Sequence, residues 1–138
     1  MKTQNTITDE QITDAGHDSA TIPQVRALCA FLDCQPDELS RERHDHYHMP
    51  VFSYGRAEYA IGDDSEADSA WDRSLDSYVE ECITPEIEKL ELGNLSAYIK
   101  FDEEMWKRDA RMDGRGHSLS SYDGEENEEG EFFIYRTN

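Results

Sequence analysis

The fold is decided by one stretch, Val51-Phe52-Ser53-Tyr54-Gly55-Arg56-Ala57-Glu58-Tyr59-Ala60-Ile61, in which two apolar runs flank a two-residue connection. A connection of this length with glycine in first place suits a tight β-hairpin. Pairing across it sets Phe52 opposite Tyr59 on one face. The stretch therefore predicts an antiparallel hairpin over 51–61, and its apolar face is expected to pack against helices.

An amphipathic helix is predicted to follow the hairpin directly. Asp63 or Ser65 can cap its start, with Glu66 or Asp68 three residues on completing a capping box, and Thr84-Pro85 is expected to end it. Its apolar positions follow helical spacing and predict a buried seam. The seam comprises Ala67, Trp71, Leu75, Tyr78 and Cys82.

The remaining segments complete an α+β prediction with a small antiparallel sheet. Residues 1–20 are polar and predict a flexible arm or a weakly docked helix, so a single domain is expected over 21–138. Helices are predicted from Ile22, from Pro36 to about His44, over 85–92 with a stop at Gly93, and from Asp102 to Met112. A second hairpin is predicted from a strand over 116–122, an acidic loop over 123–130 and a strand over 132–135.

The composition predicts a folded, soluble, cytoplasmic protein with a strongly negative field. The chain has 138 residues, of which 36% are hydrophobic, and it carries 32 Asp and Glu against 13 Lys and Arg, a net charge of −19 at pH 7. Such a charge repels nucleic acid and anionic membranes and attracts basic surfaces. There is no apolar run of membrane-spanning length, and the three cysteines do not suggest a disulfide framework.

A row of acids marks the helix that follows the hairpin. Asp64, Asp68, Asp72, Asp76 and Glu80 recur every four residues and are expected to line one edge of it, whereas only Arg73 and Lys89 are basic between 63 and 91. Like charges at this spacing destabilise a helix, so replacing Asp68, Asp72 and Asp76 by Asn is expected to leave the fold as stable or more so. A charged stripe of this kind is usually only the solvated face of a helix. The alternative hypothesis is a surface that imitates nucleic acid and binds a basic protein.

Two stretches resemble known families. Residues 22–39, which include Leu28-Cys29-Ala30-Phe31-Leu32-Asp33-Cys34-Gln35-Pro36, are similar to the C-terminal helices of Cro/CI-like helix-turn-helix proteins. No Lys or Arg lies within residues 3–25, where that family places its DNA-reading helix, so the resemblance implies a packing unit and not DNA binding. The C-terminal stretch, with Arg108-Asp109-Ala110-Arg111-Met112-Asp113-Gly114-Arg115-Gly116-His117 and Phe133-Ile134-Tyr135-Arg136-Thr137-Asn138, is similar to endings of small uncharacterised acidic proteins of phages and other mobile elements. Such elements commonly encode acidic inhibitors of restriction or CRISPR complexes.

The resulting functional hypothesis is an acidic phage- or plasmid-type inhibitor that occupies the basic nucleic-acid groove of a host defence complex. It predicts no cofactor and no direct contact with nucleic acid or membrane. A homodimer is an open option. A docking adaptor of a mobile element is a further alternative. The predicted contact residues are Asp64, Asp68, Asp72, Asp76, Glu80, Glu81, Glu125, Glu126, Glu128 and Glu129.

The main alternative is a small enzyme or an anion-binding protein built on the segment 111–118. Arg111 and Arg115 would clamp an anion, His117 would act as acid or base, and Ser118, Ser120 or Ser121 would supply a hydroxyl. Asp113 belongs to the same candidate ligand site. A lone Gly-Arg-Gly-His is weak evidence, because none of the established catalytic motifs is present. The structural interpretation is that Gly114 ends a helix and that the arginines pair with nearby carboxylates.

The stretch His44-Asp45-His46-Tyr47-His48 offers imidazoles for a metal, and Cys29, Cys34 or Asp45 could complete a zinc shell. The spacing matches no zinc module, and both cysteines fit a helical core pattern. We therefore expect a surface turn here and predict no metal. Trp106 is expected in the core, or at a protein interface if it is exposed.

Overall fold

A five-stranded antiparallel sheet organises the protein, which is described here by a computed structural model covering residues 7–89 and 102–138. The strand order is β1-β2-β3-β5-β4. With helices packed on it, the sheet forms one small α+β domain, as the sequence predicts. The strands are β1 (Leu39–His46), β2 (Met49–Tyr54), β3 (Ala57–Asp63), β4 (Asn127–Glu129) and β5 (Phe132–Arg136).

The hairpin prediction is confirmed. Phe52 on β2 pairs with Tyr59 on β3, and the turn contains Gly55, whose φ of 61° is one that residues with a Cβ rarely adopt. The second hairpin differs from its prediction. Its first strand, β4, lies inside the segment predicted as an acidic loop, and β5 joins it to the central strands by pairing Ile134 with Ile61.

The helices of the described ranges are α1 (Asp9–Asp14), α2 (Ile22–Leu32), α3 (Asp64–Tyr78), α4 (Thr84–Lys89), α5 (Glu103–Arg111) and α6 (Arg115–Leu119). Helices α1 and α2 pack on one face of the sheet, and α3 and α6 pack on the other. Short 3₁₀ turns lie at Ser19–Thr21 and Pro36–Glu38, and a π-turn at Val79–Ile83 joins α3 to α4. No helix within the described ranges combines the length and apolar character needed to cross a membrane.

Alternating residues of the strands pack into two separate hydrophobic cores, one on each face of the sheet. On one face Phe52, Ile61 and Ile134 pack with residues of α1 and α2, among them Ile12 and Leu28. On the other face Val51, Ala60 and Tyr135 pack with Ala67 and Ala70 of α3 and with Leu119 of α6. Because strand side chains alternate between faces, consecutive residues such as Ala60 and Ile61 serve different cores.

Two local predictions are wrong. Residues 39–46 form the edge strand β1 and not a helix. Most of its side chains are polar and exposed, so the sequence shows no apolar period that would indicate a strand. Backbone pairing with β2 stabilises it. Residues 115–119 form helix α6 and not a strand, after Gly114 at φ 88°. Residues 9–14, expected as a flexible arm or a weakly docked helix, form helix α1, because Thr8 caps the helix and Ile12 is fully buried; residues 1–6 lie outside the described ranges.

Thr84-Pro85 does not end the helical segment. Pro85 lacks an N–H, and the chain continues through the π-turn, in which the Thr84 N–H donates to the carbonyl of Val79 five residues back. The predicted helix over 85–92 is observed as α4 up to Lys89, and its predicted stop at Gly93 lies outside the described residues. The predicted cap is confirmed at α5, where Asp102 accepts from the Met105 N–H at 3.0 Å.

Candidate functional site: ion-pair cluster and acidic cleft

The acidic row of α3 faces the protein's own cations. Arg115, at the start of α6, donates from Nη1 to Asp64 Oδ1 at 2.8 Å and to Asp68 Oδ1 at 3.1 Å. Its Nε donates to Glu126 Oε2 at 2.8 Å. The Arg115 side chain is only 11% exposed, and its guanidinium lies 4.5 Å from the Phe133 ring centroid. Arg115 therefore joins α3, α6 and the approach to β4.

Glu126 is held from a second direction. The Tyr135 hydroxyl donates to Glu126 Oε2, and burial together with this hydrogen bond raises the pKa of Tyr135. Burial opposes the charge on Arg115, but its hydrogen bonds to Glu126 and Asp64 raise its pKa overall. The guanidinium therefore stays protonated although its side chain is largely buried.

Helix α5 supplies the other cations. Lys107 Nζ pairs with Asp76, and it lies 3.5 Å from Asp72 Oδ1. Arg111 Nη2 lies 2.7 Å from the same Asp72 oxygen. The hydrogen bond to Asp76 raises the pKa of Lys107. No residue of α5 is buried, so this helix is held on α3 chiefly by polar contacts and by the ring of Trp106.

These contacts change the expected effect of neutralising the row. Six carboxylates, those of Asp64, Asp68, Asp72, Asp76, Glu103 and Glu126, share three cations. The row therefore stabilises the docking of α5 and α6, and replacing Asp68, Asp72 and Asp76 by Asn should weaken that docking, contrary to the expectation from the sequence alone. This part of the row acts first as an internal ion-pair cluster.

The other predicted contact residues fall into two places. Glu80 and Glu81 lie in the π-turn and are exposed. Glu125 is exposed just before β4, while Glu128 and Glu129 lie on that edge strand. Within the described ranges, the carboxylates of Glu80, Glu81, Glu125 and Glu128 form no ion pair.

A cleft of about 600 Å³ opens beside the ion-pair cluster, between α3, the π-turn, α5 and α6. Tyr78 and Trp106 stack along it with their ring planes 2° apart and their centroids 5.4 Å apart. Tyr78 is 52% exposed although the apolar period predicts it in the buried seam. The residues that line the cleft are Tyr47, Ser74, Leu75, Ser77, Tyr78, Glu81, Cys82, Trp106, Asp109, Ala110, Asp113, His117 and Ser118.

Negative charge surrounds this aromatic pair. Glu81, Asp109 and Asp113 line the cleft, and no residue of the described ranges forms an ion pair with any of them. We name the space the acidic cleft. Carboxylates around an exposed aromatic face can bind a Lys or Arg side chain, because the ring face and the acids both attract the cation.

The alternative site at 111–118 is divided by the structure. Asp113, His117 and Ser118 line the acidic cleft, whereas Arg111 and Arg115 point into the ion-pair cluster. The two arginines therefore cannot clamp an anion beside His117 without leaving their carboxylates. Gly116 is a packing residue, since a Cβ there would lie 2.6 Å from the Glu126 backbone nitrogen.

The histidines and cysteines weighed for zinc do not meet. His46 Nε2 lies 2.9 Å from the Leu119 carbonyl oxygen, and burial lowers the pKa of His46. Cys29 and Cys34 are buried in the core beneath α2, where a hydrogen bond between the two sulfurs, together with burial, raises the pKa of Cys29. Cys82 is exposed in the acidic cleft.

The sequence did not indicate the stacked pair Tyr78 and Trp106. Tyr78 has the right spacing for the buried seam, but Val79 at the start of the π-turn takes the buried place instead, with 6% exposure. The signal that was available is the excess of acids around Trp106, which is unusual for a core tryptophan. Comparisons of the chain with protein-family models, with curated proteins and with solved structures found no match.

Proposed function

We propose that the protein binds a basic surface of a partner protein, of the kind that holds nucleic acid, and that the acidic cleft is the centre of contact. The observation that carries this proposal is the cleft itself, whose lining combines the stacked rings of Tyr78 and Trp106 with three carboxylates that form no ion pair with any residue of the described ranges. A Lys or Arg side chain of the partner would enter the cleft and place its cation close to the carboxylates and to an aromatic ring.

The charge of the whole chain supports the same partner. Even if each of the 13 cations paired with one carboxylate, 19 carboxylates would remain without a counter-charge. A field of this sign accelerates encounter with a basic surface and makes association sensitive to salt. The proposal differs from simple imitation of a phosphate backbone by the α3 row, because Asp64, Asp68, Asp72 and Asp76 are engaged internally.

The class of partner follows from the resemblance of the C-terminal stretch to mobile-element proteins. Restriction and CRISPR complexes are the basic, nucleic-acid-binding targets that such elements inhibit. Within this proposal Glu80, Glu125, Glu128 and Glu129 contribute long-range attraction, whereas Glu81, Asp109 and Asp113 make the contacts.

The proposal predicts salt-sensitive capture that depends on the cleft. The immobilised full chain should retain nucleic-acid-binding proteins from a bacterial lysate at about 50 mM salt and lose most of them at about 300 mM, where the Debye length is much shorter. Added duplex DNA should displace the same proteins. The triple variant Glu81→Gln, Asp109→Asn, Asp113→Asn should retain at least about tenfold less, since three charge-assisted contacts are removed.

A matched control removes the same charge elsewhere. The control variant combines Glu10→Gln, Asp14→Asn and Asp37→Asn. The three native acids are exposed on the opposite helical layer, and none pairs with a cation of the described ranges. This variant should leave capture within about twofold, as expected for distant sites in a screened field. Equal losses in both triple variants would refute the cleft as the contact. Retention that resists both salt and DNA would instead support the docking-adaptor alternative, whose interface would be apolar.

A second candidate function is small-molecule binding or catalysis in the cleft. It is favoured by His117, Ser118 and the exposed thiol of Cys82 on the same walls. His117→Ala separates the two candidates, because His117 is exposed and its removal costs little packing. Capture of basic partners by this variant should stay within about twofold of wild type under the partner-binding proposal. A loss comparable to that of the acidic triple variant would place His117 in the partner contact itself and would contradict its assignment to a separate small-molecule site.

A further inference from the structure

A bulge in β1 contains two of three potential metal ligands that lie close together outside the lining of the acidic cleft. Arg41 pairs with Phe52 and Asp45 pairs with Pro50, so the three residues between them on β1 stand opposite Val51 alone. A bulge bends its strand and changes the direction of the side chains it contains. Glu42 and His44, which are two positions apart and share a face by regular alternation, both lie within this bulge.

The Arg41 side chain fixes the bulge. Its Nη1 donates to the carbonyl oxygens of Glu42 and Val51, the latter at 3.3 Å, and its Nη2 donates to Asp45 Oδ1 at 2.6 Å. The guanidinium also lies 5.7 Å from the ring centroid of Phe52, a core residue. The Arg41 guanidinium is therefore committed to backbone carbonyls and to Asp45.

Glu58 reaches the same point from β3. One ligand atom from each of Glu42, His44 and Glu58 lies within 4.8 Å of the other two, and His44 Nε2 is 3.7 Å from Glu58 Oε1. The Asn138 side chain orients Glu58, since its Nδ2 donates to Glu58 Oε2 at 3.1 Å while its Oδ1 accepts from the Glu58 N–H at 2.6 Å. This leaves Oε1 facing the imidazole. A partner that fixes one oxygen of a ligating carboxylate is the usual outer layer of a metal site.

The electrostatics of this cluster favours a cation. Glu42 and Glu58 are half-buried and close to each other, and among the described residues no Lys or Arg forms an ion pair with either. Their mutual repulsion would be relieved by a divalent ion. A mixed set of two carboxylates and one imidazole suits Zn²⁺ or Mn²⁺ better than Mg²⁺, which prefers oxygen ligands and retains its waters.

We propose that Glu42, His44 and Glu58 bind one divalent transition-metal ion, with Zn²⁺ as the favoured occupant and water completing its coordination. Ligand atoms around tetrahedral zinc lie roughly 3.3 Å apart, as bonds of about 2.0–2.1 Å require. The His44–Glu58 separation is already close to this value, and the exposed His44 side chain can move to complete the contraction. The site lies on the β1 side of the sheet and joins β1 to β3 and to the C-terminal residue Asn138.

Isothermal titration of the full chain with Zn²⁺, Mn²⁺ and Mg²⁺ tests the proposal. One equivalent of Zn²⁺ should bind, and Mg²⁺ should bind at least about tenfold more weakly because it does not favour an imidazole. His44→Ala and Glu58→Gln should each weaken Zn²⁺ binding by at least about tenfold. His48→Ala is the matched control, since this exposed histidine lies on the neighbouring turn and outside the cluster, and it should change affinity by less than about twofold.

Three results would overturn the site. Zn²⁺ binding that survives His44→Ala, or that falls equally in His48→Ala, would show ions held by the general negative field of the chain. Similar affinities for Zn²⁺ and Mg²⁺ would lead to the same conclusion. Circular dichroism of each variant separates loss of ligands from loss of fold, and Glu58→Gln keeps the size of the side chain and a hydrogen-bonding group for Asn138, so it provides a second route if His44→Ala perturbs β1.

Discussion

Gly116→Ala is expected to destabilise the protein by about 3 kcal/mol, although alanine is the better helix former. In an unconstrained helix the same change would stabilise by about 1 kcal/mol. At this position a Cβ would lie 2.6 Å from the Glu126 nitrogen, 2.7 Å from the Glu125 carbonyl carbon and 2.7 Å from the Gly124 carbonyl oxygen. All three are backbone atoms, so no side chain can rotate away, and overpacking of this kind typically costs 1–3 kcal/mol or more. Urea denaturation gives the change in the free energy of unfolding.

Gly130→Ala provides the control for the backbone contribution. Gly130 lies in the turn between β4 and β5 with φ 62°, and a Cβ there would meet nothing within 4 Å. Its substitution should therefore cost only the left-handed strain, about 1 kcal/mol. If Gly116→Ala were as stable as wild type, or more so, α6 would not pack against residues 124–126 as closely as the structure indicates.

The fold was predictable from sequence where local pattern and tertiary environment agree. The hairpin 51–61 combines alternating apolar residues with a turn glycine, and both its register and its turn are as predicted. The caps at Asp63 and Asp102 are likewise local and are observed. In each case the residues that specify the feature lie within a few positions of one another.

The missed elements depend on distant partners. Strand β1 has a polar, mostly exposed sequence, and only its pairing with β2 identifies it. Helix α6 is five residues long and is fixed by Gly116 against a loop ten residues further on. Ile12 appears in a polar segment, yet it is fully buried because α1 packs on α2. No periodicity within these segments contains that information.

The ion pairs of the candidate site also depend on residues that are distant in sequence, so the sequence pattern alone does not predict them. The four-residue spacing of Asp64, Asp68, Asp72 and Asp76 correctly predicts one helical edge, but spacing alone does not reveal what faces that edge. Lys107 and Arg115, which form ion pairs with acids of this row, lie some 30 to 50 residues later in the sequence. Cations are scarce within residues 63–91 because the partners of these four acids lie elsewhere in the chain. The overall surplus of acidic residues remains for other surfaces.

Arg115→Ala is expected to cost about 3 kcal/mol, the second large effect. The side chain is 11% exposed, donates to three carboxylates and lies on the Phe133 ring, so its loss leaves Asp64, Asp68 and Glu126 facing one another without a cation. Breaking a buried ion pair by removing one partner costs about 3–5 kcal/mol, and the partial exposure of these acids places the estimate at the lower end. Thermal and urea unfolding at low and high salt measure it.

Two comparisons separate the geometry of Arg115 from its charge. Arg111→Ala also removes one cation from the cluster, but this pair with Asp72 is nearly half exposed and should contribute less than about 1 kcal/mol. Arg115→Lys keeps the charge and loses the fork that holds Asp64 and Glu126 together, so it should recover only part of the loss. If Arg115→Lys restored full stability, or if high salt rescued Arg115→Ala completely, the cluster would stabilise the fold through its net charge alone. The directed hydrogen bonds of the buried guanidinium would then have no measurable role in holding α6 to α3.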